Sequence, residues 1–337
     1  MVFSYYIFKY PYQLIWNFLN IINRNSGVVV YCADPMDYIV MRPALIFLPE
    51  MTYYAKNKTT ADFLKKQNLP VKRLACFPKA VIMCRHAAYK FPGKNILKKF
   101  TNARNYNMFE VYMLTSSAEV AIARELGIAS AKAVGFPKID PLFNGSYNKE
   151  LLNKTRSKAG ANQKKRTVIF TATWDSSGMS AIEKWINFLP VLSQDYNILV
   201  TVHPWTSQKY KQKLSAMKQI YFIQDYDVLP FLAIADIMVG DTSSIIAEFC
   251  ALDKPIITFK VNQTDRTLPE ITQLLKSISY RVEESYQLKE AIAYCLKNPR
   301  EKQRERQSAA KLMFDKLDGK AGQRAANMIK HKISNFT

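Results

Sequence analysis

Short apolar runs and longer segments with a helical period alternate along the whole chain. In the N-terminal half, apolar runs predict four strands, at residues 28–31, 80–84, 111–115 and 132–135. Between the last two runs, residues 116–126 have the pattern of a helix that begins at Ser116 and ends before Gly127. Strands that alternate with helices indicate βα units, so we predict one Rossmann-like domain for this half.

The amino-acid composition changes between residues 144 and 166, where the segment is polar and basic and includes two glycines. We place a domain boundary near residue 150 in this segment. Beyond it the alternation returns, with strands predicted at 167–171, 197–202, 237–239 and 255–259 and helices at 179–188, 207–217 and 243–251. The predicted fold class is α/β, with Rossmann-like doubly wound domains at 1–150 and 151–337 and helices at the C-terminus.

The N-terminal segment 12–24 has one apolar helical face, formed by Ile15, Phe18, Leu19 and Ile22. Such a helix packs on its own domain or lies on a membrane surface, and both interpretations stay open. Its apolar stretch falls short of the roughly 20 residues that a spanning helix needs. The start of the chain also has neither the basic segment nor the small-residue cleavage site of a secretory signal, so we expect a cytoplasmic protein.

Charge and cysteine content narrow the classes of function. The 337 residues carry 48 Lys and Arg against 27 Asp and Glu, a formal net charge of +21. This surplus favours a polyanionic partner such as nucleic acid, an anionic bilayer or a phosphate-rich polymer. The five cysteines form no C-x-x-C pair, so we expect small buried residues in a reducing compartment. Three histidines are too few for a His-rich metal site, and we expect no built-in metal.

The segment after the predicted strand 237–239 has the residue types of a phosphate-binding turn. Between Gly240 and the next predicted helix stand four polar residues, Asp241, Thr242, Ser243 and Ser244. Backbone N–H groups and the positive end of the helix dipole bind phosphate at such a turn, although plain N-capping explains the same residue types. Glu248 lies one helical turn after Ser244, where its carboxylate either reaches a ribose diol or faces solvent.

Two histidines lie at the carboxyl ends of predicted strands. His203 comes after strand 197–202 and before Pro204, and His86 follows strand 80–84. Open α/β sheets bind ligands at the carboxyl ends of their strands, so each histidine is either a functional group or a core residue. With one histidine in each domain, we expect the two to lie on facing walls of a central cleft, as a base and a leaving-group stabiliser.

Five short elements, in this order, resemble the CDP-glycerol glycerophosphotransferases of teichoic-acid and capsule synthesis. They are Gly135-Phe-Pro-Lys-Ile-Asp140, Thr173-Trp174 after a strand, His203-Pro204, Asp241-Thr-Ser-Ser244 and Lys254-Pro255. The resemblance spans roughly residues 80–260. It implies a GT-B architecture, in which the C-terminal domain binds a CDP-activated donor and the N-terminal domain faces the acceptor hydroxyl across the cleft.

The resemblance also implies roles for individual residues. Donor contacts are expected at Thr173, His203, Pro204, Asp241, Thr242, Ser243, Ser244 and Glu248. His86 is the expected general base for the acceptor hydroxyl, and further acceptor-side residues are Lys90, Lys138 and Asp140. Attack on the glycerol-bearing phosphorus would release CMP, with His203 and the serines facing the leaving group.

Departures from the family pattern leave the identity of the donor open. Ala87 follows His86 where the family has glycine, Asp175 stands where arginine is frequent, and Thr242 replaces an aromatic residue. CDP-glycerol, CDP-ribitol and other CDP-alditols are therefore all candidate donors. No permanent cofactor is expected, and a Mg²⁺ ion carried in by the diphosphate is left open.

The expected partners are the CDP-alditol donor, a lipid-linked or polymeric polyanionic acceptor, and the anionic inner face of the cell membrane, where the enzyme would be peripheral. Two alternatives use different chemistry. One is a sugar-nucleotide glycosyltransferase or epimerase-like enzyme with the same fold. The other is a basic nucleic-acid-binding protein, but the chain has neither a glycine-aromatic RNA-binding signature nor a zinc knuckle, so no nucleic-acid partner is expected.

Overall fold

The computed structural model describes residues 29–73, 82–84, 103–107, 109–262, 264 and 269–334, together with positions 11, 14, 15 and 18. The chain forms two compact units. Unit 1 comprises Met1–His86, Gly93–Asp140 and Asp318–Thr337, and unit 2 comprises Ala87–Pro92 and Pro141–Leu317. The division therefore falls at Asp140, and the last helix belongs to unit 1, whereas the sequence predicts ranges of 1–150 and 151–337.

The described strands of unit 1 form two three-stranded parallel sheets, β1-β2-β3 and β4-β5-β6. The strands are β1 Val29–Cys32, β2 Thr52–Ala55, β3 Val71–Arg73, β4 Ile82–Cys84, β5 Val111–Leu114 and β6 Ala131–Ala133. Their helices are α1 Pro35–Leu45, α2 Lys58–Lys65, α3 Ala103–Tyr106 and α4 Ser117–Glu125. No ladder joins β3 to β4 within the described residues.

Helix α4 has the end signals that the sequence predicts. The Ser116 side chain accepts a hydrogen bond from the Glu119 N–H at 3.2 Å, which satisfies one of the free donors of the first turn. Gly127 ends the helix with φ of 84°, a left-handed conformation that costs glycine little. The predicted helix 116–126 is confirmed.

Unit 2 contains a six-stranded parallel sheet of order β12-β11-β10-β7-β8-β9. Its strands are β7 Thr167–Ala172, β8 Asn197–Val202, β9 Tyr221–Phe222, β10 Ile237–Gly240, β11 Ile256–Phe259 and β12 Tyr280–Val282. Its helices are α5 Lys149–Lys158, α6 Ile182–Trp185, α7 Leu189–Leu192, α8 Gln208–Ala216, α9 Leu229–Ile234, α10 Ile245–Cys250, α11 Pro269–Ile278, α12 Leu288–Lys297 and α13 Gln303–Phe314. Within the described residues, the 3₁₀ helices are Pro137–Leu142, Asp175–Ser177, Ile186–Phe188 and Ser285–Gln287.

The core of unit 2 lies around the central strands, because β7, β10 and β11 are buried along their whole lengths. Phe170 of β7 packs on Trp185 with ring centroids 5.3 Å apart. The predicted helix 179–188 is observed as α6 and the 3₁₀ turn Ile186–Phe188, and α7 follows directly at Leu189. Pro190 lies at the start of α7, and it has no N–H to continue the α-helical ladder through this segment.

The C-terminal helix α14, Ala321–Ser334, is held within unit 1 by close backbone contacts. Asp140 accepts hydrogen bonds from the N–H groups of Ala321 at 3.1 Å and Gly322 at 2.6 Å. A Cβ on Gly322 would lie 2.3 Å from the carbonyl oxygen of Pro43, so α14 approaches α1 closely only because this residue is glycine. Burial raises the pKa of Asp140, although the hydrogen bonds from the two N–H groups of α14 act to lower it.

Candidate functional site

Strand β7 is the point at which the strand order of unit 2 reverses. From β7 the chain continues to β8 and β9 on one side, and it then crosses to β10, β11 and β12 on the other. Ligands of open α/β sheets bind outside the carboxyl ends of the strands at such a reversal. The residues that follow β7, β8 and β10 are Thr173, His203 and Asp241. These are the strand ends at which the sequence predicts donor contacts.

The buried side chain of Asp241 joins the loops after β7 and β10 through hydrogen bonds. The residue has 0% exposed surface. Its Oδ2 accepts hydrogen bonds from the N–H groups of Thr173 and Ala181, both at 3.0 Å. Its Oδ1 accepts from the N–H groups of Thr242 at 2.6 Å and Ser243 at 3.1 Å. The carboxylate therefore points inward and positions two loops, whereas the sequence predicts a donor contact at Asp241, with N-capping as the alternative.

Burial has a larger effect on Asp241 than its hydrogen bonds have. Loss of hydration disfavours the charged form and raises the pKa of this carboxyl from 3.8 to about 6, while the four backbone N–H groups act in the opposite direction. At neutral pH the group is therefore mostly ionised. In that state it accepts from every one of those donors.

The turn after Asp241 has fewer free backbone donors for a phosphate than its sequence indicates. The N–H groups of Thr242 and Ser243 already bond to Asp241, and helix α10 has only six residues. Ser243 is half-buried and Ser244 is exposed, so their side chains are the turn's accessible donors. The Thr242 Oγ1 is buried and has no hydrogen-bond partner within the part of the chain that the structure describes.

Close packing explains the glycine at the end of β10. A Cβ on Gly240 would lie 2.9 Å from the Thr171 Cγ2 and 3.3 Å from the Ile246 Cδ1. A larger residue would push β10 away from β7 and would move α10.

Glu248 on α10 is only 4% exposed, so its interpretation as a solvent-facing acid is wrong.

Three aromatic rings gather at the carboxyl ends of β7 and β8. The ring centroid of Trp174 lies 4.8 Å from that of His203 and 5.5 Å from that of Trp205. His203 and Trp205 are 5.2 Å apart in an edge-to-face arrangement. Trp205 is 72% exposed, so the cluster presents a broad apolar surface beside the buried Thr173. Pro204, between the histidine and the tryptophan, is also exposed.

Asp175 connects the β7 loop to the first turn of α8. The Ser207 N–H donates to Asp175 Oδ1 at 2.8 Å, and the Ser207 hydroxyl donates to Oδ2. Burial raises the pKa of Asp175, but the two Ser207 hydrogen bonds and the nearby Lys209 outweigh it, so the pKa is lowered overall. Asp175 thus orders the loop after β8.

The remaining predicted site residues lie elsewhere. His86 and Lys90 are outside the described residues. Lys138 and Asp140 are buried in unit 1, where Asp140 binds the start of α14. Lys254 donates to the carbonyl oxygens of Ala233 and Ala235, both at 2.7 Å, and so completes the end of α9.

Sequence reasoning did not predict the roles of Asp175, Trp205 and Ser207. The available signal was their closeness to Trp174 and His203 in the chain. Within the described ranges, no group of three or more His, Cys, Asp or Glu residues is arranged to hold a metal ion.

The parallel sheets are those of an α/β protein of the GT-B class. The solved structure of the wall teichoic acid polymerase TagF has a TM-score of 0.63 and 18% identity, covering 91% of this chain and 89% of that chain. A putative UDP-N-acetylglucosamine 2-epimerase from Listeria monocytogenes has a TM-score of 0.59 and 13% identity, covering 91% and 96%. The predicted GT-B fold class is confirmed.

The chain belongs to the CDP-glycerol:poly(glycerophosphate) glycerophosphotransferase family, whose model matches residues 90–331. The teichoic acid glycerol-phosphate primase of Bacillus subtilis (strain 168) is 25% identical over 173 residues, which are 49% of this chain and 43% of that protein. The teichoic acid poly(glycerol phosphate) polymerase of Bacillus spizizenii is 26% identical over 279 residues, which are 74% and 66%. This chain therefore spans less than two thirds of the length of both relatives, and the predicted family resemblance is confirmed.

Proposed function

We propose that this chain transfers glycerol phosphate, or another alditol phosphate, from a CDP-activated donor to a hydroxyl group of a teichoic-acid-type polymer and releases CMP. One observation carries the proposal: in a member of this family, the loops after β7, β8 and β10 lie at the reversal of strand order, where Asp241 joins the β7 and β10 loops and Asp175 joins the β7 and β8 loops. That is the place where a doubly wound sheet binds a nucleotide.

The donor contacts follow from the exposure of the side chains in this site. Ser243 and Ser244 present hydroxyls that donate hydrogen bonds to the diphosphate, and His203 adds a ring N–H. Glu248 is only 4% exposed, so its assignment to the ribose diol follows from the family resemblance and not from exposure. Thr173, Thr242 and Asp241 act beneath this surface, because they are buried or have buried polar atoms.

The reaction is an in-line displacement at phosphorus. The acceptor oxygen forms a bond to the glycerol-bearing phosphorus, and the bond from that phosphorus to the bridging oxygen breaks. The electron pair leaves on the phosphate of CMP, where Ser243, Ser244 and His203 stabilise the charge. The family resemblance assigns the proton of the acceptor hydroxyl to His86.

The acceptor and the membrane are assigned by charge and exposed apolar surface. The net charge of +21 suits a phosphate-rich polymer and an anionic bilayer. Leu14, Ile15 and Phe18 are 70%, 50% and 62% exposed, a pattern that favours the membrane-surface interpretation of the N-terminal segment. In the described part of the chain, no helix is long and apolar enough to cross a bilayer. The proposed location is peripheral, at the inner face of the cell membrane.

A transfer assay with labelled CDP-glycerol and a lipid-linked glycerol-phosphate acceptor tests the proposal. The expected result is one CMP formed for each glycerol phosphate incorporated, with Ser244→Ala raising the donor KM and the exposed Ser146→Ala leaving it unchanged. Turnover of a UDP-sugar without use of any CDP-alditol would overturn the proposal in favour of a glycosyltransferase or epimerase.

Membrane docking is tested separately, by sedimentation with vesicles of anionic or neutral lipid. The proposal predicts that the protein sediments with the anionic vesicles and is released by salt, because exposed Lys and Arg interact with the surface. Equal sedimentation with both types of vesicle would contradict the assignment to the inner face.

A further inference from the structure

The backbone around His203 fixes which of its ring nitrogens carries the proton. The His203 N–H donates to the carbonyl oxygen of Ala172 at 3.1 Å, which continues the β7–β8 ladder by one residue. The chain then turns sharply, and the Thr206 N–H donates to the His203 carbonyl oxygen at 2.9 Å. Within this turn, the Trp205 N–H donates to the His203 Nδ1 at 3.1 Å.

A backbone N–H group can only donate a hydrogen bond, so the Nδ1 atom that accepts from it must hold a lone pair. A neutral imidazole has one N–H, and that N–H must then be on Nε2. Protonation of Nδ1 would place two N–H groups against each other and would break the bond to Trp205. The turn therefore favours one neutral form of the ring over both the other tautomer and the imidazolium.

Two neighbouring contacts keep this turn and the ring in place. Asp175 accepts two hydrogen bonds from Ser207, which anchors the chain directly after the turn. Trp174 packs against the imidazole with ring centroids 4.8 Å apart, and Trp205 packs against it from a second direction at 5.2 Å. The ring is thus restrained by its own backbone and by both tryptophans.

We infer that His203 is a neutral imidazole with its proton on Nε2, which donates a hydrogen bond to the leaving phosphate and transfers no proton, and that Trp205 and Asp175 are positioning residues for it. The role at the phosphate rests on the proposed function, whereas the tautomer does not. In the reaction written above, the electron pair of the breaking P–O bond stays on CMP, and the proton of the acceptor leaves through the base. No proton from His203 is needed for the balance.

The tautomer is tested by long-range ¹H–¹⁵N correlation spectra of the uniformly ¹⁵N-labelled protein. The sequence has only three histidines, so His86→Asn and His331→Asn variants assign the His203 ring signals. The inference predicts a pyridine-like shift for Nδ1, a pyrrole-like shift for Nε2, and a scalar coupling across the hydrogen bond from the Trp205 nitrogen to Nδ1. A proton on Nδ1, averaged shifts of the two nitrogens, or an imidazolium at neutral pH would overturn it.

Two substitutions of Trp205 separate its backbone from its ring. Trp205→Ala removes the ring and keeps the N–H, so the Nε2–H tautomer is expected to persist. Trp205→Pro also removes the N–H, so averaged ring shifts are expected. Equal spectra for the two variants would contradict the assignment to the backbone, and if Trp205→Pro does not fold, the coupling in the wild-type protein decides the question.

The role in the reaction is tested by substituting His203 itself. Glutamine has a side-chain N–H that can replace the Nε2–H donor but cannot exchange a proton at neutral pH. His203→Ala is expected to reduce kcat about 100-fold, the usual effect of removing one donor to a developing charge, and His203→Gln is expected to keep at least about tenfold more activity than His203→Ala. Equal activities of the two variants would overturn the donor role. A wild-type protein that forms no CMP would refute the proposed function but not the tautomer, because the spectra test the tautomer without any activity.

Discussion

Replacing Asp241 with asparagine tests how a buried carboxylate joins the loops of the candidate site. The side chain has 0% exposed surface, and its oxygens accept hydrogen bonds from four backbone N–H groups. Burial raises its pKa from 3.8 to about 6. Asparagine keeps the shape of the side chain, but it cannot ionise, and its amide NH₂ meets backbone donors where the carboxylate offers an acceptor.

The pH dependence of the free energy of unfolding follows from proton linkage. Between pH 3.8 and about 6, the folded protein holds more protons on Asp241 than the unfolded chain does. The contribution of this residue to the free energy of unfolding therefore falls as pH rises through that window, and it is constant on either side. A pKa difference of about two units corresponds to about 3 kcal/mol.

Urea unfolding of the wild-type protein and Asp241→Asn at several pH values between 3.5 and 7.5 measures this contribution. The free energy of unfolding of the wild type, minus that of the variant, should fall by about 3 kcal/mol over the whole range, with about 2 kcal/mol of the fall between about pH 4 and pH 6. The lost hydrogen bonds add an offset that does not depend on pH, so the slope and the offset can be separated. A difference that is flat, or that grows with pH in this window, would refute the reasoning.

Two further predictions concern packing and a second buried charge. Gly322→Ala should lower the free energy of unfolding by about 1–3 kcal/mol, because its Cβ would lie 2.3 Å from the Pro43 carbonyl oxygen. The control Gln323→Ala, at the exposed neighbouring position, should change the free energy of unfolding by less than about 0.5 kcal/mol. Equal thermal midpoints for the two variants would argue against the close α1–α14 contact. Burial lowers the pKa of Lys254 from 10.5 to about 8, so the unfolded chain holds more protons on this residue between those values, and its contribution to stability should rise with pH through that window. Lys254→Met should remove this rise in urea titrations at pH 7.5 to 10, and parallel curves for wild type and variant would contradict the assignment.

The sequence predicts the buried strands of unit 2 best. Strand β8 has the predicted bounds, Asn197–Val202, because a largely apolar run is typical of a parallel strand covered on both faces. Strands β2 and β3 are not predicted, since they have only four and three residues and β3 includes lysine and arginine. Such short strands are defined by their pairing, β2 with β1 and β3 with β2, and local periodicity does not contain this information.

The candidate site is predictable in its location but not in its internal contacts. His203 and Thr173 follow strands that the sequence predicts, so their place at the sheet edge could be inferred from the pattern alone. The inward direction of Asp241 could not, because it depends on donors 60 and 68 residues away in the chain, at Ala181 and Thr173. The same limit applies to Asp175, whose partner Ser207 lies 32 residues further on.

The most direct test of the donor site is a calorimetric titration of the protein with CDP-glycerol, CDP-ribitol, CMP and UDP. The account predicts that cytidine ligands bind and that both Ser244→Ala and His203→Ala weaken that binding, since each removes a donor to the diphosphate. Binding of UDP alone, or cytidine binding that neither substitution changes, would contradict a CDP-alditol site at the carboxyl ends of β7, β8 and β10.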